Sequence, residues 1–139
     1  MAYVSQEDKK KLAVGIKEVC KKYGYKVSLG VNHHRTLVAK VKGAEDILTE
    51  YCEVQMHPQK VLERENRHYT FDPVEVIEES KKWGHRVNEY WIAENYGEKG
   101  TAFLTELKGA MEGEDFFNED DAMTDYFHRS HYIEISLYT

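Results

Sequence analysis

His33, His34 and Arg35 form a compact cationic group between two alternating segments, and Lys40 and Lys42 follow in the second segment. An arginine can hold a phosphate through two parallel hydrogen bonds, and histidine rings can stack on bases. Lys40 and Lys42 share a face, because a strand repeats every two residues. These five residues, with Lys26 flanking them in the first segment, predict a phosphate-binding hairpin. The alternative is an ordinary polar hairpin whose lysines discourage edge pairing.

A second candidate group lies in residues 112–125, which hold seven acidic residues and no basic one. The composition predicts an exposed loop with Phe116 and Phe117 as aromatic anchors. Such a loop could imitate a nucleic acid toward a DNA-binding protein by electrostatic complementarity. Alternatively, this loop and its neighbouring histidines could hold a divalent metal for phosphodiester cleavage, with Asp115, Asp120, Asp121, Asp125, His128 and His131 as candidate ligands. The segment lacks the EF-hand and HExxH frames, so we assign no metal site, and a solvated acidic loop is the simpler interpretation.

The sequence contains none of the short motifs that mark common catalytic or cofactor sites. GxSxG, the Walker loop and GxGxxG are absent, and no histidine frame surrounds Cys20 or Cys52. We therefore expect binding rather than catalysis, with no cofactor. The two cysteines lie in apolar-periodic stretches and predict buried free thiols, with a disulfide as the alternative.

Charge is distributed unevenly along the 139 residues. Residues 1–43 carry a balance of +7, whereas residues 44–139 carry −13, for a formal net charge of −6. This asymmetry predicts a basic N-terminal face that binds polyanions weakly and with strong salt dependence. It equally fits two halves that attract each other within one fold.

An amphipathic helix is predicted at about residues 5–23. Ser5 and Asp8 match a capping box, and Gly24 supplies the left-handed residue that commonly ends a helix. Apolar side chains recur between them at helical spacing, and they define a stripe formed by Leu12, Ile16, Val19 and Tyr23.

A β-hairpin follows this helix. Alternation predicts two strands whose apolar faces hold Val27, Leu29 and Val31 in the first and Leu37, Ala39 and Val41 in the second. We expect the helix to pack its apolar stripe on this face, with Ile16 buried.

The remainder of the chain predicts further helices and two more strands. A short helical stretch follows Gly43, and His57-Pro58 breaks the ambiguous polar segment after it. The other predicted elements are a helix capped by Asp72 and ending at Trp83, a strand at His85 to Tyr90, a short helix at Trp91 to Tyr96, a helix at Thr101 to Met111 and a strand at His131 to Tyr138. We predict one α+β domain, residues 1–139, whose antiparallel sheet the C-terminal strand completes.

Hydropathy argues against association with a membrane. No stretch approaches 18 consecutive apolar residues, and the first ten residues lack the apolar core of a secretion signal. We expect a cytoplasmic protein with no membrane partner.

Several segments together resemble a known family. MAYVSQEDKKKLA, HHRTLV, YWIAENY, FLTELKGAM and DDAMTDYFHRSHYIEISL are similar to an uncharacterised family of small proteins from tailed bacteriophages, and more distantly to a domain of phage polyvalent proteins. The resemblance implies an accessory role in the host cytoplasm during infection, and it supplies no catalytic residues. We expect a host or phage protein as partner, with nucleic acid as a further partner of the basic N-terminal face. A metal-dependent nuclease is the alternative function.

Overall fold

Residues 4–33, 35–66, 71–113 and 131–139 are described by a computed structural model, and within these ranges the chain forms six α-helices and four β-strands. In chain order they are α1 (Gln6–Tyr23), β1 (Lys26–Asn32), β2 (Thr36–Lys42), α2 (Glu45–Gln55), α3 (Pro58–Asn66), α4 (Pro73–Lys82), β3 (His85–Arg86), α5 (Ile92–Asn95), α6 (Glu98–Glu112) and β4 (Tyr132–Tyr138). The predicted α+β class is confirmed. None of the described helices is both long enough and apolar enough to cross a membrane.

The four strands form one mixed sheet in the order β1-β2-β4-β3. β1 pairs with β2 in antiparallel fashion, as expected for a hairpin. β3 also pairs with β4 in antiparallel fashion. β4, however, runs parallel to β2 over seven residue pairs, from Thr36–Tyr132 to Lys42–Tyr138. The prediction of an antiparallel sheet is therefore wrong at this central pair. Alternation shows which side chains share a face but carries no information about strand direction.

Helix α1 begins and ends where its sequence predicts. The Asp8 amide donates to Ser5 Oγ at 3.0 Å, and the Ser5 amide donates back to the Asp8 carboxylate at 3.0 Å. These hydrogen bonds hold the pKa of Asp8 below its ordinary value. At the other end Gly24 adopts φ 85°, a conformation that costs glycine little because it has no Cβ.

The apolar core lies between one face of the sheet and the helices. Ile16 is completely buried, and Leu12, Val19 and Tyr23 pack against the same cluster, so the predicted burial of the α1 stripe is confirmed. The stripe also meets α6, a contact that the sequence did not predict. The Tyr23 ring lies edge-on to Phe103 with centroids 5.2 Å apart. The core therefore has two helices, α1 and α6, side by side over the sheet.

Two predicted elements have different bounds because of local hydrogen bonds. The strand expected over His85 to Tyr90 ends at Arg86, and the amide of Tyr90 donates to Asn88 Oδ1 at 3.1 Å in a turn that side chains of this type favour. Helix α6 begins at Glu98 rather than Thr101, because the Glu50 carboxylate accepts from the Gly100 amide in its first turn at 3.0 Å. Because Glu50 is fifty residues away from Gly100 in the chain, the sequence around α6 does not indicate where this helix begins.

Cys20 and Cys52 are buried free thiols, as predicted. Burial raises the pKa of Cys20 to about 11, and it raises the pKa of Cys52 as well. Both cysteines therefore contribute apolar packing as neutral thiols.

Replacing Ile16 by Ala is expected to lower the free energy of unfolding by about 2–5 kcal/mol, because it leaves a cavity in a fully buried position. Val14 lies on the same helix with 64% of its surface exposed, so Val14→Ala should change stability by less than about 0.5 kcal/mol. Urea denaturation of the two variants measures the difference. Equal effects would contradict the burial of the α1 stripe.

Candidate functional site

The sheet register separates the strands into two chemically different faces. Odd-numbered side chains of β1, β2 and β4 lie on the core face, where Leu37, Ala39 and Val41 pair with Ile133, Ile135 and Leu137. The other face, which we call the polar face, carries the even-numbered side chains of the same strands.

Three lysines lie together at one end of the polar face. Lys26 on β1 is directly opposite Lys42 on β2, and Lys40 is the next residue of β2 on that face. We call Lys26, Lys40 and Lys42 the basic patch; all three are exposed. Side chains directly opposite each other in an antiparallel pair have Cβ atoms about 5 Å apart, and like charges there are destabilising. None of the ion pairs in the described part of the chain includes any of these lysines.

The rest of the polar face includes one ion pair, two tyrosines and Val38, which is buried beside Glu134 between Lys40 and Thr36. Arg86 on β3 contacts Glu134 on β4 at 2.8 Å, so the only carboxylate on the described strands of this face is already paired with a cation. Tyr138 lies beside Lys42, and Tyr132 lies beside Thr36 at the opposite end of β2. Unlike the whole chain, with a net charge of −6, this face carries an excess of positive charge.

A shallow trough of about 460 Å³ lies at the hairpin end of the same face. Its lining includes His33 from the β1–β2 loop, Tyr90 from the segment after β3, and Tyr132 and Glu134 from β4. Tyr90 is 59% exposed. Aromatic rings offer a stacking surface for a base. The Glu134 carboxylate, in contrast, is already paired with Arg86. The chemistry of the trough that suits a nucleobase is therefore stacking.

The β1–β2 loop holds His33 in the left-handed region at φ 55°, where histidine is more tolerated than most side chains. The amide of Arg35 donates to the Asn32 carbonyl at 3.2 Å, which closes the turn. Arg35 is exposed there. His33 and Arg35 therefore lie at the tip of the hairpin.

The predicted five-residue phosphate site is divided by this geometry. Lys40 and Lys42 lie toward the other end of β2 from Arg35, and Lys40 is five residues, about 16 Å, from it along an extended strand. The cationic side chain beside Lys40 and Lys42 is therefore Lys26 on β1, and not a residue of the β1–β2 loop. The sequence shows that Lys40 and Lys42 share a face, but only the register reveals that Lys26 opposes Lys42.

The other predicted binding residues lie outside the described ranges. They are His34 and the members of the acidic segment, Phe116, Phe117, Asp120 and Asp121. Among the residues whose placement is described, no three His, Cys, Asp or Glu side chains come together in a way that could hold a metal ion.

A larger groove of about 830 Å³, which sequence reasoning missed, lies between α2, α3 and the start of α6. Five glutamates contribute to its lining. Two of its polar groups are already engaged: Glu50 accepts from the α6 backbone, and Lys60 donates to the Glu94 carbonyl at 2.7 Å. Its hydrogen bonds join neighbouring helices, which gives this groove a structural role.

His85 and Tyr96 form a titratable pair beside β3, in which Tyr96 is buried and His85 is half-buried. His85 Nε2 and the Tyr96 hydroxyl are 3.0 Å apart, and the Tyr51 ring packs on both. Burial lowers the pKa of His85 and raises that of Tyr96. Both groups therefore stay neutral near pH 7, and the pair holds the β3 edge against α2 and α5.

Comparison of the chain with protein-family models, with curated proteins and with solved structures finds no match. The functional assignment consequently rests on the geometry and charge of the polar face.

Removing one of the opposed lysines should stabilise the fold. We expect Lys42→Gln to raise the free energy of unfolding by about 0.2–1 kcal/mol at low ionic strength, because it ends the repulsion with Lys26. The gain should shrink in 0.5 M salt, which screens exposed charges. Lys81→Gln is the control, since Lys81 lies 3.9 Å from Glu78 and neutralising it removes an attraction. A Lys42→Gln variant less stable than wild type at low salt would contradict the repulsion.

Protonation of His85 should destabilise the fold. Burial lowers the pKa of His85, so the unfolded chain binds a proton at this residue more readily than the folded protein does. The contribution of neutral His85 to the free energy of unfolding is therefore fully present above the unfolded-state pKa of about 6.5. It is lost as the pH falls through the folded-state pKa. His85→Gln, which does not titrate, should flatten the decline in stability from pH 7.5 toward pH 5. Parallel pH profiles for wild type and His85→Gln would contradict this assignment.

Proposed function

We propose that the protein is a non-catalytic binding module that binds single-stranded nucleic acid through the polar face of its sheet. The observation that carries this proposal is the basic patch, where two lysines face each other across adjacent strands with a third beside them. Such an arrangement costs stability in the free protein and is relieved when an anion binds between the ammonium groups. Backbone phosphates are anions that lysine side chains neutralise.

The dimensions of the polar face favour a short single strand. From Lys42 to Thr36 the face extends over six residue steps, or about 20 Å. Phosphates would occupy the basic patch, and a base farther along the strand would reach the trough beside Tyr132. Unpaired bases can enter such a trough and stack on an aromatic ring, whereas duplex bases remain stacked within the helix.

Only part of the basic N-terminal region contributes to this surface. Helix α1 covers the core face of the sheet, so its lysines lie on the far side from the polar face. The acidic remainder of the chain also repels a polyanion. Both facts support weak binding with a salt dependence set by about three phosphate contacts.

An accessory role in tailed-bacteriophage infection, in the host cytoplasm, is part of the same proposal. Its support is the sequence resemblance of the segments around the first helix, the hairpin and the C-terminal strand. Binding of a host or phage protein fits that role too. The nuclease alternative depends on the Asp/His-rich segment, and all of its candidate ligands except His131 lie outside the described residues. His131 is buried, with its Nε2 2.8 Å from the Met111 carbonyl oxygen, and no described observation favours the alternative.

Titration of a fluorescent oligothymidylate at several salt concentrations tests the proposal. We expect the logarithm of the association constant to fall with the logarithm of salt concentration with a slope of about −2, as three phosphate contacts on a single strand predict. Lys40→Gln and Lys42→Gln should each weaken binding and reduce the slope by about 0.7. Lys81→Gln, at an exposed position on α4 away from the polar face, should leave the slope unchanged. Binding that is undetectable at low salt, or unaffected by the patch variants, would refute the proposal.

A further inference from the structure

Strand β1 forms an outer edge of the sheet with no described strand on its other side. It pairs with β2 through seven consecutive residue pairs, from Lys26–Lys42 to Asn32–Thr36, without a bulge or a proline. On the core face its apolar side chains are only half-buried, although their partners on β2 are completely buried. A long, regular strand of this kind is a template for pairing with another extended chain.

The backbone groups that point away from the sheet can be identified from the neighbouring strands. The Tyr132 amide donates to the Arg35 carbonyl at 2.8 Å, so Arg35 and every second residue after it direct their backbone groups toward β4. The alternate residues of β2, from Thr36 to Lys42, therefore bond to their partners on β1. The outward amides and carbonyls of β1 are accordingly those of Val27, Leu29 and Val31.

One flank of α1 is occupied by α6. A Cβ on Gly15 would lie 3.9 Å from Ala110, and Lys22 contacts Glu106 at 2.8 Å. Since α1 also packs on β1, its opposite flank lies above the open edge of the sheet.

That opposite flank is basic. At about 100° per residue, Lys10, Lys17 and Lys21 lie on the side of α1 away from Gly15, and all three are exposed. We call them the lysine flank. Lys26 borders the same edge on the polar face, and none of these four lysines belongs to an ion pair within the described residues. Within the described part of the chain, lysines without an ion-pair partner thus lie on both sides of the β1 edge.

We propose that the β1 edge binds an extended acidic segment of a partner protein as a fifth strand of the sheet. The main chain of that segment would bond to the outward groups of Val27, Leu29 and Val31. Its alternate side chains would be apolar on the helix side, where they cover these three residues, and acidic on the polar face beside Lys26. This surface goes beyond the proposed nucleic-acid site, since it uses the strand edge and recognises a protein.

A second copy of the chain fits this edge poorly. Two β1 strands paired edge to edge would place both α1 helices on the same side of the joined sheet, with their lysine flanks facing each other. Like charges at that junction oppose association. An acidic strand, in contrast, is attracted from both sides.

A fluorescein-labelled nine-residue peptide of alternating glutamate and valine tests the proposal against the full chain. We expect it to bind, and a peptide of the same composition with its valines in one block to bind at least about tenfold more weakly, because only alternation satisfies both faces. Two further peptides carry N-methyl groups on either the valines or the glutamates. A strand pairs through alternate residues, so one of these peptides should lose at least about tenfold in affinity while the other binds normally.

Charge reversal on the helix supplies the matched protein variants. Lys17→Glu and Lys21→Glu should each weaken the alternating peptide severalfold, whereas Lys81→Glu on α4 should leave it unchanged. Equal binding of alternating and blocked peptides, or equal binding of the two N-methylated peptides, would overturn strand addition. Sedimentation of the protein as a dimer, with no peptide binding, would show instead that a second copy occupies the edge and would also overturn it.

Discussion

The fold depends on the parallel pairing of β2 with β4, which places the last strand of the chain in the interior of the sheet. Seven residue pairs join these strands, and β3 then adds to the far side of β4. The Tyr138 carbonyl accepts from the Ala44 amide at 3.0 Å, so the pairing continues to the point where α2 begins. Without β4, the N-terminal hairpin would have no strand beside β2, and β3 would have no partner among the described strands.

This central pair also determines which surface is left for binding. With β4 in register beside β2, the apolar residues of both strands except Val38 lie on one face, and α1 and α6 cover that face. The polar residues are left together on the other face, where Lys42 meets Lys26 on one side and Tyr138 on the other. Net charge conceals this arrangement, because the acidic surplus of the chain lies elsewhere in the sequence.

Elements with local signals were predictable from the sequence, and relations between distant elements were not. The capping box at Ser5, the helix stop at Gly24 and the cap at Asp72 are confirmed because each depends on residues within a few positions. The direction of β4, the Glu50 cap on α6 and the opposition of Lys26 to Lys42 join residues many positions apart. For the same reason, the sequence predicts that Lys26, Lys40 and Lys42 flank the hairpin, but not that Lys26 lies opposite Lys42. Alternation places Lys40 and Lys42 on one face, but their cross-strand neighbour depends on the register of the hairpin turn.

The most direct test of the proposed binding surface is a map of amide chemical shifts during titration with a short oligothymidylate. The account predicts the largest changes at Lys26, Lys40 and Lys42, with further changes around Tyr132 and little change at the lysines of α1. That pattern would follow the polar face and leave the opposite side of the sheet unaffected. Changes concentrated on α1, with the basic patch unperturbed, would contradict the account, because they would place the ligand on the helices that cover the core.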